Sequence, residues 1–149
     1  MRVLAIDPGR KRIGVAISDE LQMVARPLPA IQARGRNADA AALAALVRAE
    51  GVGQVVVGLP LPLHGTAGPQ AGRVQKFGDY LATQLAVPLT YWDERFTTVE
   101  AGRLLSQAGI PPRKQRDHID SAAAAVLLQS YLDAHAPRAD VSRDHEVVP

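Results

Sequence analysis

The 149-residue chain carries 17 Lys and Arg against 15 Asp and Glu, a formal net charge of +2, with 47% hydrophobic and 21% charged residues. That size and balance fit one folded domain with a single core and exclude disorder as the default outside the extreme C-terminus. The absence of cysteine excludes disulfides, thiolate metal sites and cysteine nucleophiles, and no run of about 18 apolar residues offers a membrane span.

Arg2 to Asp7 is a short apolar run that ends in a carboxylate before Pro8-Gly9, and it predicts a buried strand closed by a turn. Asp7 interrupts this run too early for a signal peptide, so a cytoplasmic protein is expected. Ile13 to Ser18 is rich in β-branched residues and should pair with the first run as an antiparallel hairpin. Met23 to Gln32 reads as a third strand, with Pro27 and Pro29 placing it at a sheet edge. Asn37 is positioned to cap a helix reaching Glu50, with Leu43, Leu46 and Val47 on one face. Gln54 to Gly58 is a near-continuous apolar strand, the pattern of a strand covered on both sides.

A Pro- and Gly-rich loop from Leu59 to Pro69 leads to a second helix over Gln70 to Leu85, striped by Val74, Phe77, Leu81 and Leu85. Pro88 to Trp92 predicts another strand, running into Asp93-Glu94. Thr97 to Glu100 is a capping-box pattern that opens a third helix, closed by Gly109. Pro111 to Arg116 reads as a basic loop, and the last helix is expected from about Asp117 to His135, with small residues from Ser121 to Ala125. Residues 137–149 read as a frayed tail after a single domain spanning 1–136. The order β-β-β-α-β-α-β-α-α predicts an α/β fold whose mixed five-stranded sheet has three antiparallel strands, then two parallel ones, with helices on both faces.

Acidic residues fall at three telling places. Asp7 ends the first strand, Asp93 and Glu94 end the last, and Asp117 and Asp120 lie near the start of the final helix. Parallel strands deliver their C-terminal ends to one edge, where open α/β sheets build their sites, and a helix packed across that edge brings Asp120 toward Asp7. Gathered carboxylates repel, and a hard cation such as Mg²⁺ or Mn²⁺ relieves the repulsion. Turns and helix caps also favour acids, and Asp117 or Asp120 has a good alternative reading as a cap.

The segment Leu4 to Ala16, with Asp7-Pro8-Gly9 and Arg10-Lys11-Arg12, resembles the opening hairpin of the YqgF/RuvX family. So does Arg26-Pro27-Leu28, and Val56-Val57-Gly58-Leu59-Pro60 resembles the family's Gly-Leu-Pro strand and loop, while His64 stands before Gly65-Thr66 where the family usually carries an acid or asparagine. Phe77 falls at the family's helix aromatic, Asp93-Glu94-Arg95-Phe96-Thr97-Thr98 resembles its Asp-Glu-Arg motif, and Ile119-Asp120-Ser121-Ala122 its Asp-Ser-Ala motif. The matches run in order from residue 4 to 132.

The resemblance implies an RNase H-like fold and a metal-dependent nuclease, acting in 5′-end processing of pre-16S rRNA during ribosome biogenesis or in Holliday-junction resolution. It implies Asp7, Glu94 and Asp120 as catalytic metal ligands, with Asp93 as runner-up because adjacent strand residues face opposite ways. A pair of Mg²⁺ or Mn²⁺ ions about 3.5–4 Å apart would activate water and stabilise the leaving oxygen. Asp117 has no counterpart and reads as a cap or an outer support. Arg10, Lys11, Arg12, His64, Arg95 and Lys114 are candidate contacts to nucleic acid, each with a solvated-surface alternative. Tyr91 and Trp92 read as core. The expected partners are pre-rRNA or branched DNA, and ribosome precursors, for a monomer or homodimer. Arg34, Arg36 and the loop from Leu61 to Pro69 are further candidate surfaces.

Two rival functions share parts of this pattern. Actin-like kinases and ATPases open with a similar Asp-x-Gly hairpin, but they enclose nucleotide between two such domains and carry small polar residues where Arg10-Lys11-Arg12 stands. A non-catalytic RNA- or ribosome-binding module would keep the fold, yet degenerate members usually lose a ligand and this chain retains all three.

Overall fold

Strands β1 (Arg2–Pro8) and β2 (Arg12–Ser18) form the expected hairpin, joined by a turn in which the Gly9 N–H donates to the Arg12 carbonyl at 2.9 Å. A methyl group on Gly9 would press into that same carbonyl, so this turn requires glycine. The computed structural model describes residues 1–60, 68–93 and 112–136, without the side chains of 112–120. The capping box at Thr97, the helix expected to end at Gly109 and the tail after residue 136 lie outside the described residues.

β3 (Ala25–Gln32), β4 (Val52–Leu59) and β5 (Leu89–Asp93) complete one sheet in the order β3-β2-β1-β4-β5. β1 pairs antiparallel with β2, and β2 with β3, whereas β4 runs parallel to both β1 and β5. Pro27 and Pro29 do lie on an edge strand. The β2–β3 register shifts between Ile13 and Val15, so Pro29 and Ala30 together oppose Gly14. A residue without an N–H to donate is tolerated in such a bulge.

Two helices, α1 (Arg36–Ala49) and α2 (Pro69–Gln84), cover one face. Leu43, Val47, Val74 and Leu81 pack there against Leu4, Ile6, Val55 and Val57. The long helix α3 (Pro112–Ala134) covers the other, setting Ala124, Ala125, Leu128 and Tyr131 against Val3, Ala5, Ala16 and Val56. The sheet therefore sits between the two layers with apolar residues on both sides of β1 and β4, as their near-continuous hydrophobicity predicts.

Two expected helix starts move. Asn37 does not cap α1: Gly35 is the cap residue, with φ 129°, and Asn37 lies in the first turn, where its Oδ1 accepts from the Tyr80 hydroxyl at 2.8 Å. Only glycine adopts that backbone without strain, so chain geometry outweighs the side-chain cap. The last helix begins at Pro112 rather than Asp117, which makes residues 112–116 its first turn and not a loop. Proline is well suited to a first helical position, and Arg, Lys and Gln propagate a helix readily. Asp117 is consequently inside the helix, and its reading as a cap is overturned.

Candidate active site

Strand alternation sorts the acidic residues onto faces. Val3 and Ala5 point toward α3, whereas Leu4 and Ile6 point toward α1 and α2, so Asp7 continues the α3 face. It is half-buried and pairs with Gly14 across the hairpin. Ile6 lies level with Val57, which puts Gly58 beside Asp7 on its other flank. Asp7 is thus bordered on both neighbouring strands by residues without side chains.

Asp93 falls on the opposite face. It is level with Leu59 in the parallel β4–β5 pair, and Leu59 packs into the core beneath α1 and α2. Tyr91, two residues earlier, confirms the direction: its hydroxyl donates to Asp79 Oδ1 on α2 at 2.7 Å, with the Gln75 carbonyl at 2.9 Å. Burial, and secondarily Asp79, pushes the Tyr91 phenol well above its ordinary value. Trp92 faces α3, edge-on to Tyr131 with ring centroids 5.3 Å apart. Both aromatics are structural, as expected. Glu94 and Arg95 lie outside the described residues, as does His64.

Helix α3 is fastened to the sheet at the level of Asp7. The buried Ser121 Oγ accepts the N–H of Val15 at 3.2 Å, just after the β2 residue that pairs with Asp7. This bond falls where the bulge interrupts the β2–β3 register, so a side chain from α3 satisfies a donor there. Asp120 immediately precedes Ser121 in the same helix, and its backbone is thereby brought to the edge where β1 ends. Lower down, Gln129 accepts from the Ala25 N–H at 2.9 Å and donates to the Met23 carbonyl at 2.9 Å. Neither Ser121 nor Gln129 stood out as an anchor in the sequence. The signal for both is a polar residue at the border of the small and apolar run of a buried helix.

Among the described residues no group of three His, Cys, Asp or Glu side chains gathers around one point. Carboxylate oxygen is the donor type that hard cations prefer, and Asp7 presents one at a sheet edge, with acidic residues following in β5 and α3.

The cations expected from the sequence as nucleic-acid contacts are placed on the hairpin turn and α3. Arg10, Lys11 and Arg12 are exposed on the hairpin turn, and the Lys11 carbonyl accepts from the Ala33 N–H at 2.9 Å, holding the turn to the end of β3. Lys114 is in the first turn of α3. Between the hairpin turn and the first turns of α1 and α2 lies a cleft of about 740 Å³, whose lining includes Arg10, Arg36, Arg73 and Lys76. Arg73 and Lys76 escaped the sequence reading, although their three-residue spacing on α2 puts them on one helical face.

Residues 1–134 match the family model described as "RuvX: Holliday junction resolvase". A "Putative pre-16S rRNA nuclease" of Syntrophus aciditrophicus is 46% identical over 134 residues, covering 90% of this chain and 89% of that protein. Proteins of the same name from Moorella thermoacetica and Chloroflexus aurantiacus are 47% and 45% identical, covering 89% and 97% of this chain and 95% and 94% of their own lengths. Among solved structures, T. thermophilus RuvC in complex with Holliday junction substrate superposes with a TM-score of 0.59 at 16% identity, covering 91% of this chain and 96% of that one. The Fowlpox virus resolvase with Holliday junction DNA gives 0.60 at 13% identity, covering 91% and 99%. These two likenesses establish the RNase H-like fold.

Proposed function

The chain belongs to the RuvX family, and from that premise we propose that it is a metal-dependent nuclease hydrolysing phosphodiester bonds of structured nucleic acid. The observation that carries the reading is Asp7 on the α3 face at the C-terminal edge of β1, with Ser121 fastening α3 beside its strand partner. Asp7, Glu94 and Asp120 are the residues that would hold Mg²⁺ or Mn²⁺. Asp93 is the weaker candidate for the middle position because its side of β5 is the α2 side, away from Asp7. The next residue along an extended strand reverses face, which favours Glu94.

When bound, a pair of such ions lowers the pKa of an attacking water and neutralises charge on the leaving oxygen. The protein's own contribution is to hold the carboxylates on a rigid sheet edge and an adjoining helix, so that little reorganisation is needed during reaction. Arg10, Lys11 and Arg12 would register the substrate through its phosphates, with Lys114 as a further contact. Arg95 and His64 remain candidate contacts from the same resemblance. The substrate we favour is the 5′ leader of pre-16S rRNA, because the 45–47% identical relatives carry that name. The setting would then be a ribosome precursor in the cytoplasm; no helix among the described residues is long and apolar enough to cross a membrane.

The test is cleavage with Mg²⁺ or Mn²⁺ of a pre-16S fragment bearing its leader and, in parallel, of a four-way DNA junction. Wild type should cut the RNA, and Asp7→Asn or Asp120→Asn should lose more than about 100-fold in rate while keeping the fold. Cleavage of the junction alone would transfer the assignment to resolution. Binding of both substrates without cleavage would overturn the nuclease reading in favour of a non-catalytic RNA-binding module.

A further inference from the structure

The cleft on the α1–α2 side of the sheet is not explained by a carboxylate site on the α3 side. Its rim carries Arg10 from the hairpin turn, Arg36 from α1, and Arg73 and Lys76 from α2. All four are exposed. Arg36 is spread over the Tyr80 ring at 4.4 Å, and none of the other three forms an ion pair among the described residues. Among the described residues the one acid in the lining, Asp39, is buried, and its Oδ1 accepts the Arg34 N–H at 2.9 Å. Four cations thus surround a concavity in which the one carboxylate among the described residues is turned to the backbone.

The floor is different in character. Pro8, Ile13 and Val74 are buried beneath it, and half-buried Phe77 completes the apolar surface. α2 starts with no side-chain cap and no acid in its first turn, so its positive end adds to the field of the cations, whereas Asp39 offsets that of α1. A cationic rim over an apolar floor matches a chain of phosphates whose bases are free to turn inward. A duplex presents its backbone outward and keeps its bases stacked and paired, so it cannot fill such a concavity.

We propose that this cleft binds an unpaired, single-stranded segment of nucleic acid, with phosphates on Arg10, Arg36, Arg73 and Lys76 and a base or ribose against the floor. Pro8 and Gly9 form the wall shared by the cleft and the end of β1, so a strand leaving the cleft over the sheet edge passes directly to Asp7. The cleft then acts as an anchor that sets where a single-stranded leader is presented to the carboxylates. This placement rests on the nuclease reading; the binding itself does not.

Binding is therefore measured without divalent metal, by fluorescence anisotropy of a labelled oligouridine with the full chain. Arg73→Glu/Lys76→Glu should weaken binding at least about tenfold, and the neutral pair Arg73→Ala/Lys76→Ala should reduce the log–log salt slope by roughly 1.4, the value for two lost phosphate contacts on a single strand. Arg26→Glu/Arg48→Glu, with the same change in net charge elsewhere on the surface, should cost far less. An unlabelled duplex should compete poorly. Equal loss in both charge-reversed variants, no loss in either, or efficient competition by duplex would overturn the proposal. Binding that depends on the cleft without any cleavage would sink the nuclease reading alone, and cleavage with binding indifferent to Arg73 and Lys76 would sink the cleft alone.

Discussion

Against one face of the sheet lie two helices whose contacts are long and branched, Leu43, Val47, Val74 and Leu81 among them. Against the other lies one helix that begins its contact with alanines and is pinned by polar side chains: Ser121 to Val15, Gln129 to Ala25 and Met23, and Tyr131 to Gln54 at 2.8 Å. The first face gains stability from apolar area and leaves a cleft where its helices diverge from the hairpin. The second gains position from hydrogen bonds to the backbone of β2 and β3, to the segment before β3 and to a side chain of β4, which set the height of α3 along the sheet. A carboxylate pair that must share a metal needs position more than area, and Asp7 lies on the positioned face.

The contrast can be broken first on the apolar side. Leu81 is fully buried, and Leu81→Ala should cost about 2–5 kcal/mol in denaturant unfolding while leaving the cleavage rate of the folded fraction unchanged. A matching loss of rate would mean that the two faces are not separable. Ser121→Ala tests the other side. It leaves the Val15 N–H buried without its acceptor and should cost about 1–3 kcal/mol, less than the leucine, yet it should lower the cleavage rate as α3 loses its register beside Asp7. A loss of stability at unchanged rate would make Ser121 a packing residue only.

The smallest effect is expected at the join between β5 and α2. Here Gly78 lies so close to Tyr91 that an added methyl would come within 2.7 Å of the ring. Tyr91→Phe removes the hydroxyl bond to Asp79, and because that carboxylate is exposed the cost should be only about 1 kcal/mol near neutral pH. The phenol is raised in the folded state, so its contribution is complete below the ordinary tyrosine value and is lost as pH climbs past it. Chemical unfolding of wild type and Tyr91→Phe should therefore converge above about pH 10. Parallel curves throughout would show that the phenol is not perturbed.

Much of this arrangement was legible in the sequence because its signals are local. Asp7-Pro8-Gly9 ends a strand and opens a tight turn in adjacent residues, and the prolines of β3 mark an edge within one strand. Alternation alone separates Asp93 from the face of Asp7 once the layers are known. What escaped depends on competition or on tertiary distance. Asn37 looked like a cap until Gly35 took that position with a backbone only glycine tolerates, and Pro112 started a helix through a run that reads as loop when judged by charge. The cleft brings Arg36 and Lys76 together from two helices separated by a strand, and no spacing rule along the chain reports that meeting.

The central claim is that the metal lies on the α3 face of the sheet edge, and a Mn²⁺ titration followed by electron paramagnetic resonance reads it without turnover. Wild type and Asp93→Asn should bind Mn²⁺ alike, while Asp7→Asn, Asp120→Asn and Glu94→Gln should each weaken binding by at least about tenfold. Loss of Mn²⁺ in Asp93→Asn with full retention in Glu94→Gln would move the site to the other face and contradict the account.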